Sequence, residues 1–315
     1  MRPPRVAAAV AVVALLAAVP WFGSDTFVQF GINALLLAVL AQGWNIIGGY
    51  AGYASFGNSV FYGLGSYGVG IAMVQWHLPF AAGLAFGVVL GLAFAASLGV
   101  AVLRLKGHYF AIATLALAQV MTAIVSNVKI AGQNIGLVLP PLNDDRLFYE
   151  LALALLVVAT ASIWWIARNR FGFGLIAIRE NEEGAAVMGV DTTRYKVLAF
   201  ALAGVFSSLA GGIHAYWVTF IDPDSAFDIG LNVKMIIMAV FGGPGTVLGP
   251  VVGAFVLSAV SEVLSSEVTT VAGLFFGVVI VVAIVFMPRG LADFVRRFGT
   301  SRWRYFKQNI QAHRL

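Results

Sequence analysis

The sequence predicts an all-α polytopic membrane protein with about ten transmembrane helices and both termini cytoplasmic. Three observations carry that prediction. Hydrophobic residues make up 60% of the 315 and charged residues 10%, and the mean hydropathy is +0.92. Apolar runs of about 20 residues recur along the chain, the length that crosses a hydrocarbon core of roughly 30 Å. Thirty-five glycines suit close helix packing in a bilayer, because small residues let backbones approach. The absence of cysteine excludes disulfides and thiolate metal sites. A pI near 9.6 does not indicate nucleic-acid binding, since the basic residues lie between apolar spans and form no continuous patch.

Runs bounded by Gly, Pro or charge place the spans at about 6–22, 27–47, 58–76, 80–103, 108–128, 147–167, 196–220, 230–242, 247–265 and 270–288. The first, behind Arg2 and Arg5, also has the basic and apolar regions of a signal peptide. The bulky Pro20-Trp21-Phe22 that follows offers no small-residue cleavage site, so a retained helix is expected. The eighth and ninth segments are short and joined by GGPGT at Gly242–Thr246, which makes them the weakest as full spans. A tight helical hairpin is the plainest reading of that turn.

Charge orients these spans, because cytoplasmic loops are enriched in Lys and Arg. With the N-terminus inside, parity places 48–57, 104–107, 168–195, 243–246 and 289–315 inside as well. These segments and their edges hold 16 of the 19 Lys and Arg, the exceptions being Lys129, Arg146 and Lys234. Nine of the fourteen acids fall on the other side, among them Asp144, Asp145, Asp222, Asp224 and Asp228. One span more or fewer would put the Arg-rich tail on the wrong side. Residues 1–315 thus read as one transmembrane domain with a cytoplasmic segment at 168–195 and a basic tail at 289–315. That tail carries seven Lys or Arg with Trp303, Tyr305 and Phe306, as expected at an anionic leaflet.

Catalytic motifs are missing from the sequence. There is no GxxxxGK[ST] loop and no Gly-Lys pair, so the chain carries no nucleotide-binding P-loop. The four His are scattered without metal spacing. No enzyme is expected, and no metal or cofactor in this chain. Ion-coupled carriers need intramembrane ionisable groups, whereas the spans here hold mainly neutral Asn33, Gln42, Asn45, Gln119 and Asn127. His214, Lys234 and Glu262 fit snorkelling or interfacial anchoring. The energy for any transport is therefore expected from outside the chain.

The polar island Arg168–Lys196 supplies a means. Arg179 and Glu183 stand four apart, a spacing that pairs on one helix face. Glu182 lies beside them, Ala185 and Ala186 leave a small flat surface, and Gly189 is a natural helix stop. Such an exposed helix suits coupling to a soluble motor, and the plainer alternative is a solvated loop obeying the positive-inside rule. Gly48–Gly70 holds eight Gly and four Tyr. Non-helical backbone at membrane depth survives where protein or a water-filled cavity satisfies it, which makes Asn45, Tyr50, Ser55, Asn58 and Gln119 the candidates for a translocation pathway. A Gly-mediated packing seam explains the same stretch equally well.

Four stretches carry a family resemblance. GYAGYASFGNSVFYGLGSY at Gly49–Tyr67, RLKGHYFAIATLALAQV at Arg104–Val120, Phe171–Gly212 with its AIRENEEGAAVMGVDTTRYK core, and GGPGTVLGPVVGA at Gly242–Ala254 resemble, in order, segments of the LivM-type permeases of branched-chain amino-acid ABC importers. The resemblance implies a bacterial inner-membrane permease that works with a second permease subunit as a heterodimer. It also implies two cytoplasmic ATP-binding subunits, which hold ATP and Mg, and an extracytoplasmic solute-binding protein. It assigns the island to coupling, with Glu-Ala-Ala and the following Gly at Glu183, Ala185 and Gly189, Gly184 replacing the first Ala. The later Ile-x-Leu-Pro of that pattern is absent. Asn58 stands where many relatives have His, and IAGQNIGL at Ile130–Leu137 departs from the usual TGGSxGL. The implied substrate is a branched-chain or related amino acid. Urea or short-chain amides belong to the same importer group, and a stand-alone channel or secondary carrier is the rival from another class.

Overall fold

The structure, a computed structural model, describes residues 3–267. The tenth predicted span and the basic tail lie outside the described residues. Helices stand in each of the first nine predicted segments: α1 (Pro3–Phe22), α2 (Asp25–Trp44), α3 (Asn58–Val74), α4 (Phe80–Phe94) with the short α5 (Val100–Val102), α6 (His108–Val125), α7 (Asp145–Ile166), α10 (Thr192–Val218), α12 (Ile229–Gly242) and α13 (Gly249–Glu267). Between α7 and α10 the polar island forms α8 (Arg170–Glu180) and α9 (Glu182–Val187), and a single turn, α11 (Pro223–Ala226), precedes α12. Among the described residues six helical stretches are long and apolar enough to cross a membrane, and α3, at 17 residues, falls just short. The protein is a multi-pass membrane protein.

The bundle is organised around α2, whose second half is buried on all sides. α7, α10, α12 and α13 pack on it, and α3 lies between α10 and α4. The α3–α10 contact is the most extensive among the described helices. A Cβ at Gly65 would overlap the Ser208 carbonyl, and one at Gly211 the Tyr62 carbonyl. Glycine is needed there so that two backbones can touch. The released polar groups are shared across the seam: Ser66 Oγ donates to Gly211 O at 3.0 Å and Ser208 Oγ to Phe61 O at 3.0 Å. Phe61 fills the adjoining space edge-on to Phe94 and Phe200.

Both α2 and α4 end in π-helical turns, Asn45–Tyr50 and Ala95–Gly99. Wide turns of this kind are frequent at functional sites.

Capping explains the acids at one end of the bundle. Asp144, Asp222 and Asp228 accept backbone N–H groups at the starts of α7, α11 and α12, satisfying donors that a helix start leaves unpaired. Asp145 accepts from Gln29 Nε2 (3.0 Å) and Trp217 Nε1 (2.9 Å), tying α2 and α10 to α7. The two-residue strands β1 (Leu137–Val138) and β2 (Phe220–Ile221) pair antiparallel at this same end.

Candidate functional site

The opposite end gathers the four described internal segments that charge parity assigns to one side. The π-helical end of α2, the link 51–57, the α5–α6 turn, the island and the 243–246 turn all meet there. Asn45 Nδ2 donates to Thr246 O (2.9 Å) and its Oδ1 accepts from Gly245 N (2.7 Å). Arg179, at the end of α8, donates from Nη1 to Gly49 O (3.0 Å). That carbonyl belongs to the widened turn, where a helical partner is missing.

α9 is built from local sequence. Asn181 leaves the helical region (φ −160°, ψ 106°) and its side chain accepts from Gly184 N at 2.9 Å, which ends α8 and starts α9 in one residue. At the other end Gly189 adopts φ +87°. Its N–H donates to Ala186 O and the Val190 N–H to Ala185 O, both at 3.0 Å, the doubled closure of a Schellman motif. The predicted helix stop at Gly189 is where the structure ends α9.

The two faces of α9 differ. Ala185 is buried. Glu182 turns inward, where Lys196 Nζ donates to its Oε1 at 2.6 Å and the Tyr53 hydroxyl donates to its Oε2. Lys196 also donates to Leu103 O (2.8 Å) and Tyr53 Oη (3.3 Å). The lysine side chain is 4% exposed and the glutamate 17%. Removing one partner of a fully buried pair costs about 3–5 kcal/mol, and less here because Glu182 keeps an edge in solvent. Burial raises the Glu182 pKa, but the bonds from Lys196 and Tyr53 and the charge of Lys196 outweigh it, leaving the carboxyl below its ordinary value. Burial and the same carboxylate push the Tyr53 hydroxyl well up. The outer face shows Ala186, Val187 and Met188, the last two 87% and 85% exposed.

Two expectations for the island are corrected. Arg179 and Glu183 do not pair, because Asn181 breaks the helix between them. Arg179 turns to Glu180 (2.9 Å), and Glu183 takes Lys106 from the α5–α6 turn (3.1 Å), both at the surface. Ala185 and Ala186 do not share a flat surface, since Ala185 faces the bundle.

Of the pathway residues, Asn45, Tyr50, Ser55 and Asn58 are buried together around the α2–α3 break. Ser55 O accepts from Trp44 Nε1 (2.9 Å) and its Oγ from Gly57 N (3.1 Å). Asn58 Nδ2 reaches Ser207 Oγ at 3.5 Å, and its Oδ1 has no partner among the described residues. Gln119 is exposed on α6. Sequence reasoning missed Lys196, Tyr53, Lys106 and Asn181 as parts of the island's architecture. The available signal was Lys196 itself, a charge one turn into an apolar helix that needs a partner.

Comparison with known proteins decides the family: the family model described as branched-chain amino acid transport system / permease component matches residues 26–284. The chain belongs to that permease family. It is similar to the high-affinity branched-chain amino acid transport system permease protein LivM of Escherichia coli strain K12, at 25% identity over 91% of this chain and 75% of the relative. The LivM protein of Salmonella typhimurium is 26% identical over 91% of this chain and 74% of its own length. The autoinducer 2 import system permease protein LsrC of Salmonella paratyphi B is 35% identical over 35% of this chain and 33% of its own. No solved structure matches the chain. Permeases of this family serve ABC transport systems, and the spread from LivM to LsrC leaves the substrate open.

Proposed function

We propose that this chain is the transmembrane permease subunit of an ATP-driven ABC importer in a bacterial inner membrane, taking up branched-chain or related amino acids by alternating access. Its fold has ten transmembrane spans with both termini cytoplasmic, as one domain over 1–315. Its partners are a second permease in a heterodimer, two cytoplasmic ATP-binding subunits that hold ATP and Mg, and an extracytoplasmic solute-binding protein. The chain itself hydrolyses nothing. The observation that carries this reading is α9, a helix with an inward face anchored to the span ends and an outward face of Ala186, Val187 and Met188. An apolar knob on a capped, anchored turn fits a groove in a soluble subunit. Closure of the ATP-binding subunits displaces the 168–195 segment, the permease interface opens to the binding protein, and hydrolysis resets it.

The pathway in this reading runs past the α2–α3 break, with Asn45, Tyr50, Ser55 and Asn58 at its edge and Gln119, exposed on α6, as the remaining candidate. The LsrC match keeps autoinducer 2 as the second reading for the substrate, alongside urea and short amides. The test is purification from native membrane in mild detergent. Two P-loop ATPases and a second permease that arrive with the chain support the importer. A chain that arrives alone and moves solute in liposomes without ATP is a channel or secondary carrier. In the assembled importer, Gly189→Leu forces a β-carbon into a left-handed position. Insertion should be retained while ATPase stimulation and transport fall.

A further inference from the structure

We propose that Lys196, Glu182 and Tyr53 form the latch that carries displacement of α9 into the transmembrane helices, an inference that rests on the importer reading above. Four separate chain segments converge on one ammonium group. Glu182 opens α9, Lys196 lies in the second turn of α10, Tyr53 is in the link between α2 and α3, and Leu103 closes the α4–α5 stretch. The three bonds of Lys196 Nζ, to Glu182, Leu103 O and Tyr53 Oη, use every proton an ammonium can donate. The Tyr53 hydroxyl, which donates to Glu182 Oε2, closes the ring. Tyr53 in turn stands edge-on to Phe110 in the first turn of α6, with ring centroids 5.2 Å apart.

The geometry makes this contact stiffer than its neighbour. Among the described residues, side-chain hydrogen bonds from α9 to the rest of the bundle come from Glu182 and Glu183. The Glu183–Lys106 pair is 84% and 59% exposed, where water and salt screen the attraction and both chains keep their freedom. The Glu182–Lys196 pair is buried, so breaking it exposes an uncompensated charge to a low-dielectric surrounding. A push on α9 therefore moves α10, the α2–α3 link and the α5–α6 corner together before the latch yields. The other anchor of the island, Arg179 on Gly49 O, belongs to α8. These three residues are positioning residues, acting through the helices they join.

The test uses the full importer purified with its ATP-binding subunits. The chain has no native cysteine, so Tyr109→Cys places one maleimide target in the first turn of α6, at a side chain 75% exposed and next to Phe110. Its labelling rate is compared between the nucleotide-free complex and the complex trapped with ATP and vanadate. In this reporter background the rate should change on trapping. In Lys196→Met, Glu182→Gln and Tyr53→Phe that change should shrink by about fivefold or more while ATP hydrolysis continues. The Glu182→Gln/Lys196→Met double variant should be no worse than either single, as members of one unit behave. If Lys196→Met fails to assemble, Tyr53→Phe, which removes one hydroxyl, carries the comparison. A full trapping response in assembled variants overturns the latch and leaves the importer standing. No response at Tyr109→Cys in the reporter background also overturns the latch, whereas no ATPase purifying with the chain overturns the importer reading and the latch with it.

Discussion

Lys196 is one turn into a 27-residue apolar helix, and its ammonium survives there because the fold brings it a carboxylate, a carbonyl and a hydroxyl. The partners lie 14, 93 and 143 residues away in sequence. No local spacing rule would have paired them. The arrangement has a pH signature. The groups facing Glu182 are Lys196, Tyr53 and Lys106, and their net effect holds its carboxyl below the ordinary range despite burial. The folded chain thus keeps Glu182 charged to lower pH than the unfolded chain does. Its stabilisation is full above about 4.3, the ordinary glutamate value, and is lost as the pH falls through the lower native value. Hydrogen exchange of the amides at 185–190, corrected for intrinsic rate, should show protection that is flat at neutral pH and falls below about pH 4. Glu182→Gln should lower protection at neutral pH and remove this acid-dependent step. An unchanged profile would mean that Glu182 does not hold α9 down.

At the scale of elements, the spans were legible because each is an apolar run punctuated by Gly, Pro or charge, and the helix boundaries of α2, α3, α6 and α10 fall within a few residues of those marks. The end of α9 was legible too, since Gly189 supplies a conformation other residues resist. The start of α9 was not. Asn181 is an N-cap that also ends α8, and a spacing argument that assumes one continuous helix pairs Arg179 with Glu183 across a break. Nor does glycine content say which helices meet. The α3–α10 seam depends on Gly65 lying under Ser208 and Gly211 under Tyr62, a register that the runs alone do not specify. Gly65→Ala should drive a methyl into a backbone carbonyl and destabilise the fold by about 1–3 kcal/mol. Gly211→Ala should do the same, and the double variant should lose less than the sum, because the first wedge already separates the two helices. Unfolding in mixed micelles reads all three. Additive losses would mean that the two crossings are independent.

At the scale of the whole molecule, a charge count along the sequence and the contacts of the folded chain sort the internal segments into the same two groups. Positive-inside parity puts 48–57, 104–107, 168–195 and 243–246 on one side, and the structure brings those four segments into mutual contact through Asn45, Arg179, Glu182 and Lys106. Three of the acids assigned to the other side, Asp144, Asp222 and Asp228, cap helix starts at the opposite end, beside the β1–β2 pair. A wrong parity at any internal loop would have scattered these contacts between the two ends. The cysteine-free sequence lets this polarity be measured directly with a membrane-impermeant maleimide. Met188, 85% exposed on α9, and Ile135, 82% exposed before β1, mark the two ends. Ile135→Cys should label in intact spheroplasts. Met188→Cys should label after the membrane is opened or in inverted vesicles. A third cysteine, Ser301→Cys in the basic tail, extends the test past the described residues. With four spans between 188 and 301 it must behave as Met188→Cys does, whereas three would expose it with Ile135→Cys. Opposite labelling of 135 and 188 with 301 following 188 supports four spans after a cytoplasmic α9. Labelling of 188 from outside would place α9 beyond the reach of any cytoplasmic ATPase and end the importer reading.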